Sequence, residues 1–294
     1  MLRALKHRDY RLFWLGQTLS LMGGWMQTVG QAWLVLELTD SALMLGLLGT
    51  LQYLPLLLLS LPAGALADRI GRRWLLMASN FLMLVFALIL AELVSSGSVQ
   101  YWHVALLALA SGLAQTVEIP ARQSYQFDLV GKPDLMNAMA LNSASYNMAR
   151  IAGPAVAGIL IGRLGVAPTF LLNALSFLAV LVALALIRTP GRSPGEHESV
   201  LQDVREGLDY ARSAPQVRVP LQLLLVVSVF LLNHNTLIPL LARDVLHQGP
   251  EGLGWLTAAL GVGALSSCLI LASGGRHRPS LLALIGSAAA LAVA

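Results

Sequence analysis

Apolar runs of 18 or more residues recur along almost the whole chain, and they constrain its fold more than any other feature. About 20 helical residues at about 1.5 Å each cover the roughly 30 Å hydrocarbon core of a bilayer. Charged residues make up 12% of the sequence, about half of the fraction that a soluble domain carries. The sequence therefore predicts an all-α membrane protein whose helices cross the bilayer repeatedly.

The apolar runs predict eight full transmembrane helices. These are near 12–36, 42–66, 74–95, 102–120, 138–162, 167–188, 219–242 and 252–273. A ninth run begins at Pro279 and reaches Ala294, the last residue of the sequence. At about 1.5 Å per residue it covers only about 24 Å, so we expect the chain to be truncated within a partial ninth helix.

The basic residues predict the orientation. All but three of the 19 Lys and Arg residues fall in the N-terminal segment or in every second loop. The exceptions are Arg163 and Arg243 in the opposite loops and Arg150 inside a span. By the positive-inside rule, we expect a multi-pass membrane protein with a cytoplasmic N-terminus. Because these residues mark topology, we expect no nucleic-acid partner.

One long hydrophilic stretch divides the chain. It predicts an N-terminal six-helix half at 1–188, a cytoplasmic linker at 189–218 and an incomplete C-terminal half at 219–294. Residues 38–48 and 246–256 repeat a pattern of leucine and glycine after the first and seventh spans. This repeat favours two parallel halves with a substrate site between them, although the linker could also act as a regulatory arm.

The stretch GALADRIGRRW connects the second and third spans. We expect Gly71 to supply the positive φ of a tight turn. The arginines of this hairpin can hold it on the cytoplasmic side and contact lipid phosphates. Asp68 is not needed for topology, and its charge could pair with these arginines or stabilise the N-terminus of a nearby helix.

This hairpin resembles the signature between the second and third helices of the major facilitator superfamily. The matching residues are Gly64, Asp68, Arg69, Gly71, Arg72 and Arg73. The stretches WLVLELTDSALMLGLLG, PARQSYQFDLV and NMARIAGPAVAGIL resemble the branch of enterobactin exporters and macrolide efflux proteins. The resemblance implies a superfamily-like helical bundle in which the hairpin is an inner-side latch that joins the halves in the outward-facing state. The implied partner lies near the start of an eleventh helix, which this sequence does not contain.

Small residues in the fifth span predict close helix packing. Ala149, Gly153 and Ala157 repeat every four residues, and Gly158 extends the surface, so that another helix backbone can approach closely. Pro154 removes a backbone donor and favours a kink. The expected partner is a small-residue face of span eight, formed by Ala259, Gly263 and Ser267. The segment AGPAVAG resembles the family's antiporter motif, although alanine replaces glycine at 140, 149 and 157, and it implies export.

Polar side chains inside the spans are candidates for a transport cavity. They are Gln27, Gln31, Asn147, Arg150, Asn233 and His234. Because a buried charge is costly in a membrane, we expect Arg150 to bind an anionic substrate or pair with a carboxylate in a cavity, rather than form a purely structural ion pair. His234 could carry protons or be a hydrogen-bonded structural residue. Glu118 is a proton-coupling candidate that could equally pair with Arg122.

The sequence contains no Walker loop, no GxSxG motif and no cluster of metal-spaced His and Cys, so we expect neither an enzyme nor a cofactor. The resemblance implies a secondary active transporter of the bacterial inner membrane that exports small amphipathic molecules of the drug or siderophore class. Its expected mechanism is proton antiport with alternating access, and its expected partners are the lipid bilayer, a small-molecule substrate and protons. The alternatives are a proton-coupled nutrient importer and a non-functional truncated fragment.

Overall fold

The computed structural model describes residues 3–191, 213 and 234–273, and these residues contain helices but no β-strand. The predicted all-α class is therefore confirmed. The long helices are α1 Arg8–Thr39, α2 Ala42–Arg69, α3 Arg72–Ser95, α4 Tyr101–Leu164 and α5 Ala167–Leu186, followed by α6 His234–Leu240 and α7 Pro250–Ser273. A 3₁₀ helix, Ala4–Lys6, precedes α1, and a π-helical turn, Leu241–Val245, follows α6.

The helix α4 consists of two arms, 101–130 and 132–164, which meet at Gly131. This glycine has φ 67° and ψ 175°, a conformation that glycine adopts without the steric cost of a side chain. The sequence predicted a loop between spans at 121–137, and this prediction is wrong because helix continues through both sides of that stretch. The inward face of residues 121–137, which includes Tyr125 and Leu129, is buried in the bundle. This burial stabilises helix in the stretch that was predicted as a loop.

Four helices in the described part of the chain are long and apolar enough to cross a membrane. They are Ala42–Ser60, Arg72–Ser95, Tyr101–Leu164 and Ala167–Leu186. In addition, α1 coincides with the predicted first span and α7 with the predicted eighth. Most of the seventh span and all of the ninth lie outside the described residues, so the count of eight helices plus a partial ninth stays a prediction.

Successive helices run antiparallel, so the bundle has two ends. We call the end that carries the start of α1 the N-side end, and the end that carries the end of α1 the far end. The helix α1 packs between α5 and α4, α2 packs on α4, and α3 packs on α4 and α5. The helix α7 crosses α4, so the residues after the gap join the same bundle.

Several helix crossings depend on glycine. At Gly112 in the first arm of α4, an added Cβ would overlap the backbone oxygen of Gln52 in α2. At Gly23 in α1, it would lie 2.5 Å from Ser176 Oγ in α5. In contrast, a Cβ at Gly46 in α2 would meet no described atom within 4 Å. The α1–α5 and α2–α4 distances are therefore set by the absence of a side chain.

We expect Gly112→Ala to lower the free energy of unfolding by about 1–3 kcal/mol, because the added methyl group overpacks the α2–α4 crossing. Gly46→Ala is the matched control on α2, and it should be neutral or stabilising by up to about 1 kcal/mol because alanine has the higher helix propensity. Thermal melting of the detergent-solubilised protein measures both. Equal melting temperatures for the two variants would contradict the close crossing.

Candidate functional site

The hairpin between α2 and α3 is tighter than the sequence predicted. Gly71 directly precedes α3 with φ −53°, so the expected positive φ is wrong. Its carbonyl oxygen instead accepts hydrogen bonds from the backbone N–H groups of Trp74 and Leu75, at 2.9 and 3.2 Å, and thereby opens the helix. The side chains of Asp68 and Arg69 lie outside the described part of the structure, and a Cβ at Gly64 would meet no described atom within 4 Å.

Arg72 forms the main ion pair of the N-side end. Its Nη1 atom lies 2.9 and 2.8 Å from the two carboxylate oxygens of Asp128, near the end of the first arm of α4. The Asp128 side chain is only 3% exposed and that of Arg72 is 19% exposed. Sequence analysis missed Asp128, although it lies in the PARQSYQFDLV stretch. A lone carboxylate between apolar residues was the available signal.

Arg73 bonds to a different helix. Its Nη2 atom donates to the carbonyl oxygen of Ala185 at 3.3 Å, at the C-terminal end of α5. Carbonyl groups there lack intrahelical donors and carry partial negative charge, so a cation is favourable. Neighbouring arginines of the predicted latch thus tie α3 to both α4 and α5.

Asp9 holds the segment that follows α5. Its Oδ2 atom accepts hydrogen bonds from the backbone N–H groups of Arg188 and Thr189, at 3.1 and 3.0 Å, and from Thr189 Oγ1 at 2.7 Å. Burial alone would raise the pKa of Asp9, but the bonds from Thr189 and Arg188 and the charge of Arg8 leave that pKa below its ordinary value. Tyr125 donates its hydroxyl proton to Thr189 O at 2.8 Å. The start of the predicted linker is therefore fixed to the bundle.

The small-residue surface of the second α4 arm contacts two different helices. A Cβ at Gly153 would lie 2.6 Å from Trp25 Cβ in α1, whereas a Cβ at Gly158 would lie 3.0 Å from the Cα of Gly254 in α7. Ala149 and Ala157 have no exposed surface. The backbone angles stay helical through the buried Pro154.

The face that α7 presents to α4 differs from the predicted one. A Cβ at Gly254 would lie 2.6 Å from Pro154 O, and one at Gly261 would lie 2.8 Å from Ile151 Cγ1. The predicted Ala259 is exposed, and a Cβ at Gly263 would meet no described atom within 4 Å. The expected small-residue face is therefore wrong, because small residues occur on more than one side of this helix and spacing cannot tell which side meets α4. The side chain of the third member, Ser267, lies outside the described residues.

The predicted cavity residues that the structure describes have different surroundings. Gln27 Oε1 accepts a hydrogen bond from Asn173 Nδ2 at 2.6 Å, in the α1–α5 interface. Gln31 is buried. Asn147 Nδ2 donates to Ser143 O of its own helix at 2.9 Å. Asn233 and the side chain of His234 lie outside the described residues.

Arg150 and Glu118 have different surroundings. Arg150 is half-buried on the second α4 arm, and within the described part of the chain no carboxylate forms an ion pair with it. One turn earlier, Tyr146 stacks edge-on against Trp25 with ring centroids 5.9 Å apart. The buried Glu118 contacts Arg122, with Oε1 3.0 Å from Nε.

Comparison with known proteins agrees with a bundle of membrane-spanning helices. Residues 1–294 match the family described as transmembrane secretion effector. The chain therefore belongs to this family, which is part of the major facilitator superfamily.

Three relatives indicate the range of the family. The chain is 28% identical to the Staphyloferrin A transporter of Staphylococcus aureus over 89% of its own length and 66% of the relative's. It is 28% identical to the multidrug efflux pump Tap of Mycolicibacterium fortuitum, over 92% of this chain and 68% of the pump. It is 20% identical to macrolide efflux protein A of Streptococcus pyogenes, over 96% of this chain and 71% of the relative.

The chain thus spans about two thirds of the length of these curated relatives. The relatives are bacterial membrane transporters, and the described residues include several helices able to cross a bilayer. The protein is therefore a multi-pass protein of the bacterial inner membrane.

We expect Asp128→Asn to lower the free energy of unfolding by about 2–4 kcal/mol, because it removes the negative charge from a largely buried ion pair. The matched control is Asp134→Asn, also on α4, which removes the partner 3.0 Å from His7, whose own side chain is 43% exposed. Exposed pairs contribute about 0–1 kcal/mol. Thermal melting in detergent separates the two, and equal destabilisation would show that the Arg72–Asp128 pair has no special structural role.

Proposed function

We propose that this chain belongs to a secondary active exporter of small amphipathic molecules, of the drug or siderophore class. The exporter works by alternating access and is driven by proton antiport. Residues 1–188 form the N-terminal six-helix half, 189–218 the cytoplasmic linker, and 219–294 an incomplete C-terminal half. The N-side end is cytoplasmic, and the chain contributes eight full transmembrane helices and part of a ninth.

The observation that carries this proposal is the crossing of α4 by α7. The backbones approach so closely that Gly158 and Gly254 leave no room for a Cβ. In the proposed arrangement α4 belongs to the first half and α7 to the second, so the crossing is a seam between the halves. A small-residue seam lets two helix surfaces move against each other without interlocking side chains, and this motion is what alternating access requires.

The relatives support the direction of transport and the substrate class. Two of the three relatives are named as efflux proteins, a multidrug pump and a macrolide efflux protein, and the third is the Staphyloferrin A transporter. The combination of Trp25, Tyr146 and Arg150 near the middle of α1 and α4 provides aromatic surface beside a cation, which suits an amphipathic or anionic substrate.

Proton coupling needs a titratable group near the transport path. Glu118 is a buried carboxylate inside α4, and its partner Arg122 lies one turn along the same helix. Protonation of Glu118 would release Arg122 to another acceptor, so this pair can exchange partners during transport. We assign Glu118 the coupling role on this basis, with His234 as the second candidate.

The hairpin at Asp68 completes the proposed mechanism. Arg72 and Arg73 already bind α4 and α5, which keeps the α2–α3 turn rigidly attached to the first half. We assign Asp68 and Arg69 the latch contact with the second half, as the resemblance of this hairpin to the superfamily signature implies. In this proposal, Arg72 and Arg73 anchor the latch to the first half, and Asp68 and Arg69 form a reversible contact with the second half.

Efflux from cells tests the proposal. The chain is produced in a bacterium that lacks its own multidrug exporters, the cells are loaded with ethidium, and fluorescence is followed after glucose is added. We expect faster efflux than in cells without the chain, abolished by a protonophore because no ATP-binding loop is present. Efflux that survives the protonophore would contradict proton antiport, and uptake driven by an inward proton gradient would support an importer instead.

We expect Arg150→Ala to reduce efflux of an anionic substrate by about 10- to 100-fold, because a hydrogen bond to a charged group contributes about 1.5–3 kcal/mol. Arg150→Lys should restore part of the rate. The control is Arg163→Ala, at an exposed far-end arginine. Rates are divided by the amount of inserted protein, and a loss of expression without a loss of rate per molecule would make Arg150 structural.

A further inference from the structure

Arg243 connects the turn after α6 to the end of α1. Its Nη1 atom donates to the carbonyl oxygen of Leu36 at 3.1 Å and lies 3.0 Å from Asp40 Oδ1. Its Nε atom donates to Asp244 Oδ1 at 2.6 Å. One guanidinium thus bridges two chain segments that are about 200 residues apart in sequence.

The end of α1 is well suited to bind a cation. The last carbonyl groups of a helix lack intrahelical donors and carry partial negative charge. Asp40 closes α1 in the left-handed conformation, with φ 48°, and places its carboxylate beside the Leu36 carbonyl. Asp244 orients the guanidinium from the other side, and the planar fork of arginine can serve all three acceptors at once.

The surroundings of this contact are tightly packed. Leu36 of α1, Ala242 beside Arg243, and Leu253 of α7 are almost fully buried in the same apolar cluster. A cavity of only about 20 Å³ remains between α1, α6 and α7, with Thr28 and Thr257 among its lining residues. That volume holds about one water molecule. At the far end, α1 is therefore in close contact with the described segments after the gap.

The N-side end differs in the described part of the chain. Its buried cluster takes residues from the Ala4–Lys6 turn, α1, α3, α4 and α5, together with Ile187, and from neither α6 nor α7. Two of its polar contacts, Arg72 with Asp128 and Asp9 with Thr189, join residues within 3–191. At the far end, in contrast, the charged side chain of Arg243 fastens α1 to the segment after α6.

We propose that Arg243 is a far-end clamp: its contact with Leu36 and Asp40 holds the outer end of the transport path closed and has to break before that end can open. This inference rests on the proposed alternating access. Because Asp40 is 90% exposed, water can replace that contact at low cost, so the clamp is releasable. The Leu36 carbonyl supplies the fixed acceptor that re-forms the contact when the end closes.

Cysteine labelling tests the clamp independently of transport. Thr257→Cys places a thiol beside the small cavity, about one helical turn beyond Leu253, in protein whose native Cys268 is replaced by Ser. Thr257 is buried when the far end is closed. A membrane-impermeant maleimide is applied to intact cells and to inverted vesicles, which report on opposite ends.

We expect Arg243→Gln to increase the labelling rate about tenfold in intact cells and to leave it unchanged or lower in inverted vesicles. Arg243→Lys keeps the charge but loses the fork, so its rate should lie between those of the wild type and the Gln variant. The matched control is Arg163→Gln, at the other far-end arginine, and it should label like the wild type. If Arg243→Gln does not fold, the comparison rests on Arg243→Lys with Asp40→Asn, which should raise the rate about twofold.

The outcomes separate the clamp from the proposed function. Equal labelling of the Arg243 and Arg163 variants would overturn the clamp, whatever the efflux assay shows. Faster labelling of the Arg243 variants in cells without measurable efflux would support the clamp and count against the proposed exporter. Faster labelling only in inverted vesicles would place the far end in the cytoplasm, which contradicts both the proposed orientation and the clamp as an outer closure.

Discussion

The close approach of three helix backbones along the second arm of α4 is the constraint on which the rest of the structure depends. Apolar surface gives little driving force between helices that are already in lipid, so packing distance and polar contacts decide which helices associate. The lack of a side chain at Gly153 allows α1 to pack closely on α4, and the lack of one at Gly158 allows the same for α7. A side chain at either position would separate the helices and weaken every contact at the far end, including the one that Arg243 makes.

The ion pairs and charged hydrogen bonds of the described residues lie mainly at the two ends of this bundle. They join different elements at each end. At the N-side end, Arg72 joins α3 to α4, and Asp9 joins α1 to the segment after α5. At the far end, Arg243 joins α1 to the turn after α6. Among the described residues, these contacts brace the N-side end within residues 3–191 and fasten the far end to the segment after α6.

The helix α4 shows how a local sequence feature organises distant parts of the protein. Gly131 interrupts 64 helical residues and turns the second arm back across the bundle. The first arm can then hold Asp128 against α3 while the second arm meets α1 and α7. The apolar runs alone did not predict this arrangement, because the charged residues around Lys132 suggested a loop.

The sequence by itself determined the class of protein and the approximate positions of the described apolar helices, although not the helix through 121–137, because long apolar runs in a membrane have few alternatives to helix. It also identified the small residues around Gly153 and Gly158, whose spacing places them on neighbouring faces of one helix. Only the tertiary structure decided which helix each face meets, so it alone revealed Asp128 opposite Arg72, Asn173 opposite Gln27 and Gly254 rather than Gly263 opposite α4. The physical reason is that periodicity defines the faces of a helix, whereas partners far apart in the chain are selected by packing and by charge in three dimensions.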